Sequence, residues 1–251
     1  MGATELLLVR HGESTANVAA ARAESAGAEV IDVPHRDPDV GLSGTGLAQA
    51  RALGAWLREL PAERRPDAVW SSPYRRAAET ARTALAAAGL DVPVRLDERL
   101  RDRDLGITDA LTAAGVQARY PDEARRREWL GKFYHRPLGG ESWADVALRV
   151  RSVIADLERQ DRDRRVLITC HDVVVMLFRY VCEGMDEAQV LRAAREDGVR
   201  NAAVTRLVAT SGGWRLAGYN LDAHLRTRGV KVTDEPPVPD DEPVAGGPAG
   251  A

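Results

Sequence analysis

Leu6-Leu7-Leu8-Val9-Arg10-His11-Gly12-Glu13 decides how the rest of this chain is read. Four successive apolar residues are too few for a helix and carry no alternation. They suit a short strand, Glu5–Arg10, covered on both faces. A strand covered on both faces needs helices above and below it, which is the layered α/β arrangement with parallel strands. In such sheets ligands bind beyond the carboxyl ends of the strands. Arg10 and His11 therefore stand where a ligand would bind, and Gly12 lets the backbone come close to it. A lone histidine at a strand end more often packs against the next loop, so the remaining segments must decide its role.

Working outward, the segments 67–71, 92–96, 166–170, 203–209 and 214–219 read as further strands of the same buried kind. Helical patterns lie between them. Segment 43–60 starts at a capping Ser43 and places Leu47, Ala50, Leu53 and Leu57 on one face. Segment 73–88 has a proline in its first turn and Gly89 just past its end. Segment 142–158 repeats Val146, Val150, Val153 and Leu157, and 173–182 and 186–195 complete the set. Ser211-Gly212-Gly213 makes a hairpin turn between the last two strands, which adds an antiparallel edge. The expected fold is a three-layer α/β/α sandwich with a mostly parallel mixed sheet, in one domain over 1–230. Residues 99–141 are charged and poor in strand signal. They are expected to form a helical insertion over the active site. Residues 231–251, rich in proline, glycine and acid, read as a disordered tail.

Composition sets the outer limits. The chain has 251 residues, 44% of them hydrophobic, and a formal net charge of -3. That excludes a broadly basic nucleic-acid coat and gives no reason to expect an anionic membrane as partner. No apolar run is long enough to span a bilayer. Met1 is not followed by the basic start and apolar stretch of a secretion signal. Cys170 and Cys182 are the only cysteines, so no disulfide framework is expected, and the default location is cytoplasmic. Neither a phosphate-binding glycine loop nor a zinc spacing such as HExxH occurs. No metal site is expected.

His11 has company. His171 follows the strand at 166–170, and Ser71-Ser72-Pro73 leads from another strand into a helix carrying Arg75 and Arg76. If these strands are neighbours, two imidazoles and two or more guanidinium groups meet at one sheet edge. That set suits a dianionic phosphoryl group. Arginine binds its oxygens bidentately and is always charged, and a neutral imidazole is a competent nucleophile.

The same segments resemble the histidine phosphatase (phosphoglycerate mutase-like) superfamily over roughly 5–225. Arg10-His11-Gly12-Glu13 looks like its RHG signature, and Asn17 matches its substrate-contacting asparagine. Leu42-Ser43-Gly44-Thr45-Gly46-Leu47-Ala48-Gln49-Ala50 is similar to its LSxxGxxQA segment. Ser72-Pro73-Tyr74-Arg75-Arg76-Ala77-Ala78-Glu79-Thr80-Ala81 is similar to its SPxxRAxxTA segment. Gly139-Gly140-Glu141-Ser142 matches GGES, and Cys170-His171 the second histidine.

The resemblance implies a phosphatase that needs neither metal nor cofactor. His11 is the nucleophile and becomes a phosphohistidine. Arg10, Arg76 and His171 hold the phosphoryl oxygens, and Asn17 orients the substrate. The carboxylic acid is where the sequence departs from the family, which has Glu where alignment on Leu105-Gly106 gives Asp102. Asp102 is preferred and Asp172, directly after His171, is the alternative; Asp104 and Glu98 read as solvated. The phosphoglycerate mutases carry a Tyr before the glycine of this loop, where Leu105 stands here. A phosphatase is therefore favoured over a phosphomutase. A non-catalytic phospho-ligand module is the third reading, and a nucleotide-dependent kinase is disfavoured. The expected partner is a small phosphorylated substrate, with no nucleic acid and no membrane; a homodimer is left open.

The insertion supports two readings. Lys132, Tyr134, His135 and Arg136 could form a lid over the substrate's far end, or a solvated helix could be followed by an aromatic plug. Arg125-Arg126-Arg127 reads as a solvated face, His35 as a surface residue and His224 as structural. Trp56, Trp70, Trp129, Trp143 and Trp214 fall mostly at core-like positions.

Overall fold

The computed structural model describes residues 2–234. Its strands are β1 (Glu5–Arg10), β2 (Ala68–Ser71), β3 (Val94–Leu96), β4 (Arg165–Cys170), β5 (Val204–Thr210) and β6 (Gly213–Leu221). They form one sheet in the order β3-β2-β4-β1-β5-β6. β1, β4, β2 and β3 run parallel to one another, while β5 is antiparallel to both β1 and β6. The helices among the described residues are α1 (Thr15–Ser25), α2 (Gly44–Glu59), α3 (Arg75–Ala88), α4 (Ala113–Arg119), α5 (Pro121–Tyr134), α6 (Trp143–Gln160), α7 (Asp172–Glu183), α8 (Glu187–Glu196) and α9 (Ala223–Arg226).

Alternation along β1 builds two cores. Leu6 and Leu8 pack with Val146, Val150 and Val153 of α6 and Phe178 of α7, whereas Leu7 and Val9 pack with Leu53 and Leu57 of α2 and Leu85 of α3. The uninterrupted apolar run is thus a strand with a core on each side, and the three layers follow. Helix ends obey local chemistry. Ser43 Oγ accepts from Gly46 N–H at 3.0 Å to open α2, and α3 closes on Gly89 in the left-handed region (φ +66°). Ser142 and Asp145 form a reciprocal capping box at the start of α6.

Three expectations are corrected, and one helix stands where the sequence announced none. β3 is an edge strand, not a doubly covered one: Arg95 is exposed and Leu96 is 45% exposed. Helix α1 carries no sequence periodicity, because Ala23 is its only buried residue. Trp129 is 88% exposed on α5, while Trp70 and Trp143 are buried. Residues 231–234, assigned to the tail, are bonded to the domain. Gln49 Nε2 donates to Lys231 O and Thr233 Oγ1, each at 2.9 Å, and Asn201 N–H donates to Thr233 O. The expectation for 235–251 lies outside the described residues. Within 99–141, α4 and α5 are helical, and α5 breaks at Gly131 (φ +73°, ψ 156°). No helix among the described residues is long and apolar enough to cross a membrane.

Candidate active site

Three adjacent strands deliver the site. Arg10 pairs with Cys170 in the β1–β4 register, and Ser71 with Thr169 in the β2–β4 register. The residues that follow, His11, His171 and Ser72, therefore emerge side by side at the carboxyl edge. The rings of His11 and His171 lie 5.1 Å apart, centre to centre, edge to face. The sequence motifs are tied to one another at this edge. Gly12 N–H donates to Thr80 Oγ1 (3.0 Å), Glu13 N–H to Gln49 Oε1 (2.8 Å) and Ser43 Oγ to Glu13 Oε1 (2.5 Å). Gly12 is required by close approach: a Cβ there would stand 2.6 Å from the carbonyl oxygen of Gly46.

His11 is buried, and its Nδ1 lies 2.8 Å from the Gly12 carbonyl oxygen. That carbonyl can only accept, so Nδ1 carries the proton and Nε2 keeps its lone pair. Arg76 Nε faces Nε2 at 3.2 Å. Burial, helped by the charges of Arg76, His171 and Arg10, holds the His11 imidazole well below its ordinary pKa. It is neutral near pH 7. Arg10, also buried, donates from Nη1 to Val199 O at 2.7 Å, and Asn201 Nδ2 donates to His11 O at 3.0 Å.

Arg76 is the hub. Nη1 donates to both the main-chain oxygen and Oδ1 of Asp37 at 2.8 Å, and Nη2 donates to Asp102 Oδ2 at 2.9 Å. The same Asp102 oxygen stands 3.1 Å from His171 Nδ1, within ion-pair distance. Ser72 Oγ accepts from Tyr74 N–H (3.2 Å) and meets His171 Nε2 at 2.9 Å. If the hydroxyl donates there, the imidazole proton sits on Nδ1, facing Asp102. Burial lowers the pKa of His171 and the charge of Arg76 adds to this, against the opposing pull of Asp102. Burial alone would raise the Asp102 carboxyl, but His171, Arg76 and His11 together hold it well below the usual carboxylate range. Tyr74 closes one wall, 5.1 Å from the Arg76 guanidinium and 5.3 Å from the His171 ring; burial pushes its hydroxyl up to about 12.

The structure brings Arg10, His11, Arg76, Asp102 and His171 together. Asp172 lies apart from this network. It opens α7, and its carboxylate forms no hydrogen bond or ion pair among the described residues. Asn17 Oδ1 accepts from Ser14 N–H and Oγ, both at 3.0 Å, and so caps α1. Its half-buried side chain lines a cavity of about 380 Å³ with Glu13, Arg22, Asn201 and Lys231. The four lid candidates are engaged elsewhere: Tyr134 with Glu187, His135 with Glu123, Arg136 with Asp145, and Lys132 over the Trp143 ring. Phe133 and Pro137 are buried, as a plug requires. Arg127 is half-buried, while Arg125 and Arg126 are exposed. Sequence reasoning missed Asp37, Ser72 and Tyr74. Tyr74 and Ser72 sit inside a recognised motif, but nothing in the polar segment 32–39 distinguishes Asp37. No cluster of three or more metal-ligating side chains occurs among the described residues.

Fold and site together define an α/β protein with a cationic, two-histidine pocket at its strand ends. The chain belongs to the histidine phosphatase superfamily (branch 1), whose profile matches residues 6–222. It is 33% identical over 188 residues to a 2,3-bisphosphoglycerate-dependent phosphoglycerate mutase of Methylobacterium radiotolerans, covering 74% of this chain and 82% of that one. It is 32% identical over 189 residues to the chicken (Gallus gallus) 6-phosphofructo-2-kinase/fructose-2,6-bisphosphatase, covering 74% of this chain. The match spans only 35% of that longer relative. Among solved structures, a mycobacterial glucosyl-3-phosphoglycerate phosphatase in complex with VO3 superimposes with a TM-score of 0.67 at 29% identity, covering 87% of this chain and all of the other.

Proposed function

We propose that this chain is a metal-independent phosphomonoesterase that hydrolyses a small phosphorylated metabolite through a phosphohistidine at His11. The observation that carries this reading is the state of His11. A buried imidazole with its Nδ1 proton committed to the Gly12 carbonyl leaves Nε2 unprotonated, its lone pair accepting from Arg76 Nε–H in the free protein, inside a pocket of fixed positive charge. Arg10, Arg76 and His171 bind the phosphoryl oxygens and offset the charge of the in-line transition state. The Nε2–P bond forms as the P–O bond to the leaving group breaks.

Asp102 supplies the proton to the departing oxygen. In the free protein its carboxylate is paired with Arg76 and His171. An arriving phosphoryl dianion takes those partners and brings negative charge beside Asp102. Both effects raise its pKa and let it hold a proton. As carboxylate it then takes a proton from the water that attacks phosphorus, the P–N bond breaks, and phosphate leaves.

A mutase relative keeps one alternative in view, in which the phosphohistidine returns its phosphoryl group to the product. Leu105 in the acid loop speaks for hydrolysis. A phosphomonoester panel tests the choice. Release of inorganic phosphate is expected from several esters, with no isomerisation when a bisphosphorylated primer is supplied. Isomerisation that outpaces release would reverse the assignment. The acid is tested by variants: Asp102→Asn is expected to cost about 100-fold on esters with poor leaving groups. If Asp172→Asn alone does so, Asp172 is the acid.

A further inference from the structure

The loop that carries Asp102 has little structure of its own beyond two 3-10 turns, Glu98–Leu100 and Gly106–Thr108. It is held from behind by a half-buried guanidinium on α6, that of Arg149. Arg149 Nη1 donates to Arg99 O (2.6 Å) and Arg101 O (2.9 Å), and Nη2 to Asp102 O (3.0 Å). The other edge of Arg149 grips Glu141, with Nε 3.1 Å from Oε1 and Nη2 3.2 Å from Oε2. Glu141 in turn accepts from Arg101 Nη2 (2.5 Å) and from Asp104 N–H (3.1 Å), and its own N–H donates to Asp104 O (2.8 Å). The backbone from 99 to 104 is thus fixed at five points by two side chains and one amide.

We propose that Arg149, braced by Glu141, is a positioning residue that holds the Asp102 carboxyl at the leaving oxygen. The inference rests on Asp102 being the acid. In the free protein Asp102 has three anchors: Arg149 on its backbone carbonyl, Arg76 with His171 at its Oδ2, and the neighbouring Arg103 N–H, which donates to its Oδ1 at 2.9 Å. A bound phosphoryl group claims the second anchor, because Arg76 and His171 turn to its oxygens. The Arg103 N–H bond remains but travels with the loop, so the Arg149 clamp then fixes where the acid stands relative to the rest of the site. The need is greater for an aspartate, whose carboxyl lies one methylene nearer the backbone than a glutamate's and cannot reach to correct a displaced loop. A planar fork with five donors satisfies three carbonyls and a carboxylate at once; an ammonium cannot.

Leaving-group dependence tests this. Phosphohistidine formation is followed by rapid quench with p-nitrophenyl phosphate, whose leaving group needs no proton, and with an alkyl phosphate, whose leaving group does. Arg149→Lys and Glu141→Gln are expected to slow the alkyl reaction about tenfold more than the nitrophenyl one, in the same sense as Asp102→Asn. The double variant Asp102→Asn/Arg149→Lys is expected to show no greater selectivity loss than Asp102→Asn alone. Equal losses on both esters, or none, in Arg149→Lys and Glu141→Gln overturn the clamp. A flat leaving-group response in Asp102→Asn overturns the acid assignment itself, and the clamp with it.

Discussion

At the scale of single residues, Arg76 has no idle donor in the free protein. Its Nε meets His11, Nη1 holds Asp37, and Nη2 is shared between Asp37 and Asp102. A phosphoryl group must therefore displace carboxylates, and Asp37 competes for the guanidinium that it also orients. Asp37→Asn keeps the main-chain carbonyl contact and removes the charge. Inorganic phosphate is expected to bind this variant about threefold to tenfold tighter by titration calorimetry, as loss of one charge-assisted partner implies. Weaker binding would mean that orienting Arg76 outweighs the competition. Asp37 also marks the limit of what the sequence discloses. His11, His171, Arg10 and Arg76 are legible because each ends or follows a strand, or opens a helix beside one. Asp37 lies in a polar connection whose neighbours suggest only surface, and the tertiary fold alone lays it across Arg76.

At the scale of elements, the capped helices are the legible ones. Ser142 opens α6 by accepting from Asp145 N–H at 3.1 Å, and its own Oγ–H and N–H reach Asp145 Oδ2. Ser142→Ala is expected to cost about 1 kcal/mol in urea unfolding. It should also loosen the neighbouring Glu141 brace; an unchanged midpoint would show the cap to be redundant. Two elements escape the sequence for physical reasons. Helix α1 buries only Ala23, so no apolar stripe announces it, and its capping box uses Asn17 in place of the usual Glu or Gln. Strand β3 has the composition of a buried strand but takes the sheet edge, where Leu96 stays exposed. Pattern reports that a segment is extended; neighbours decide which faces are covered.

At the scale of the whole molecule, charge and burial act in different places. Residues 231–251 set one lysine against five carboxylates, which leaves the first 230 residues slightly positive despite a net charge of -3 for the chain. Several histidines are buried. Burial lowers His224 to about 4, and it lowers His11, His171 and His135 as well. In the unfolded chain these groups titrate near 6.5. Between that pH and their folded values the unfolded state binds more protons. Their contribution to stability is therefore complete above about pH 6.5 and is lost as the pH falls. For His224 alone the loss by pH 4 is on the order of 3 kcal/mol. Urea titrations at pH 7, 5.5 and 4.5 should show this decline, and His224→Gln should flatten it. Parallel curves for the two proteins would contradict the assignment.

The central claim is the covalent bond at His11. Rapid quench with a 32P-labelled phosphomonoester, followed by alkaline peptide mapping, reads it directly. The expected result is an acid-labile, base-stable label on the peptide bearing His11, formed before phosphate release and absent in His11→Ala, whose turnover falls by about a thousandfold or more. Undiminished turnover in His11→Ala, or a label on another residue, would contradict the account.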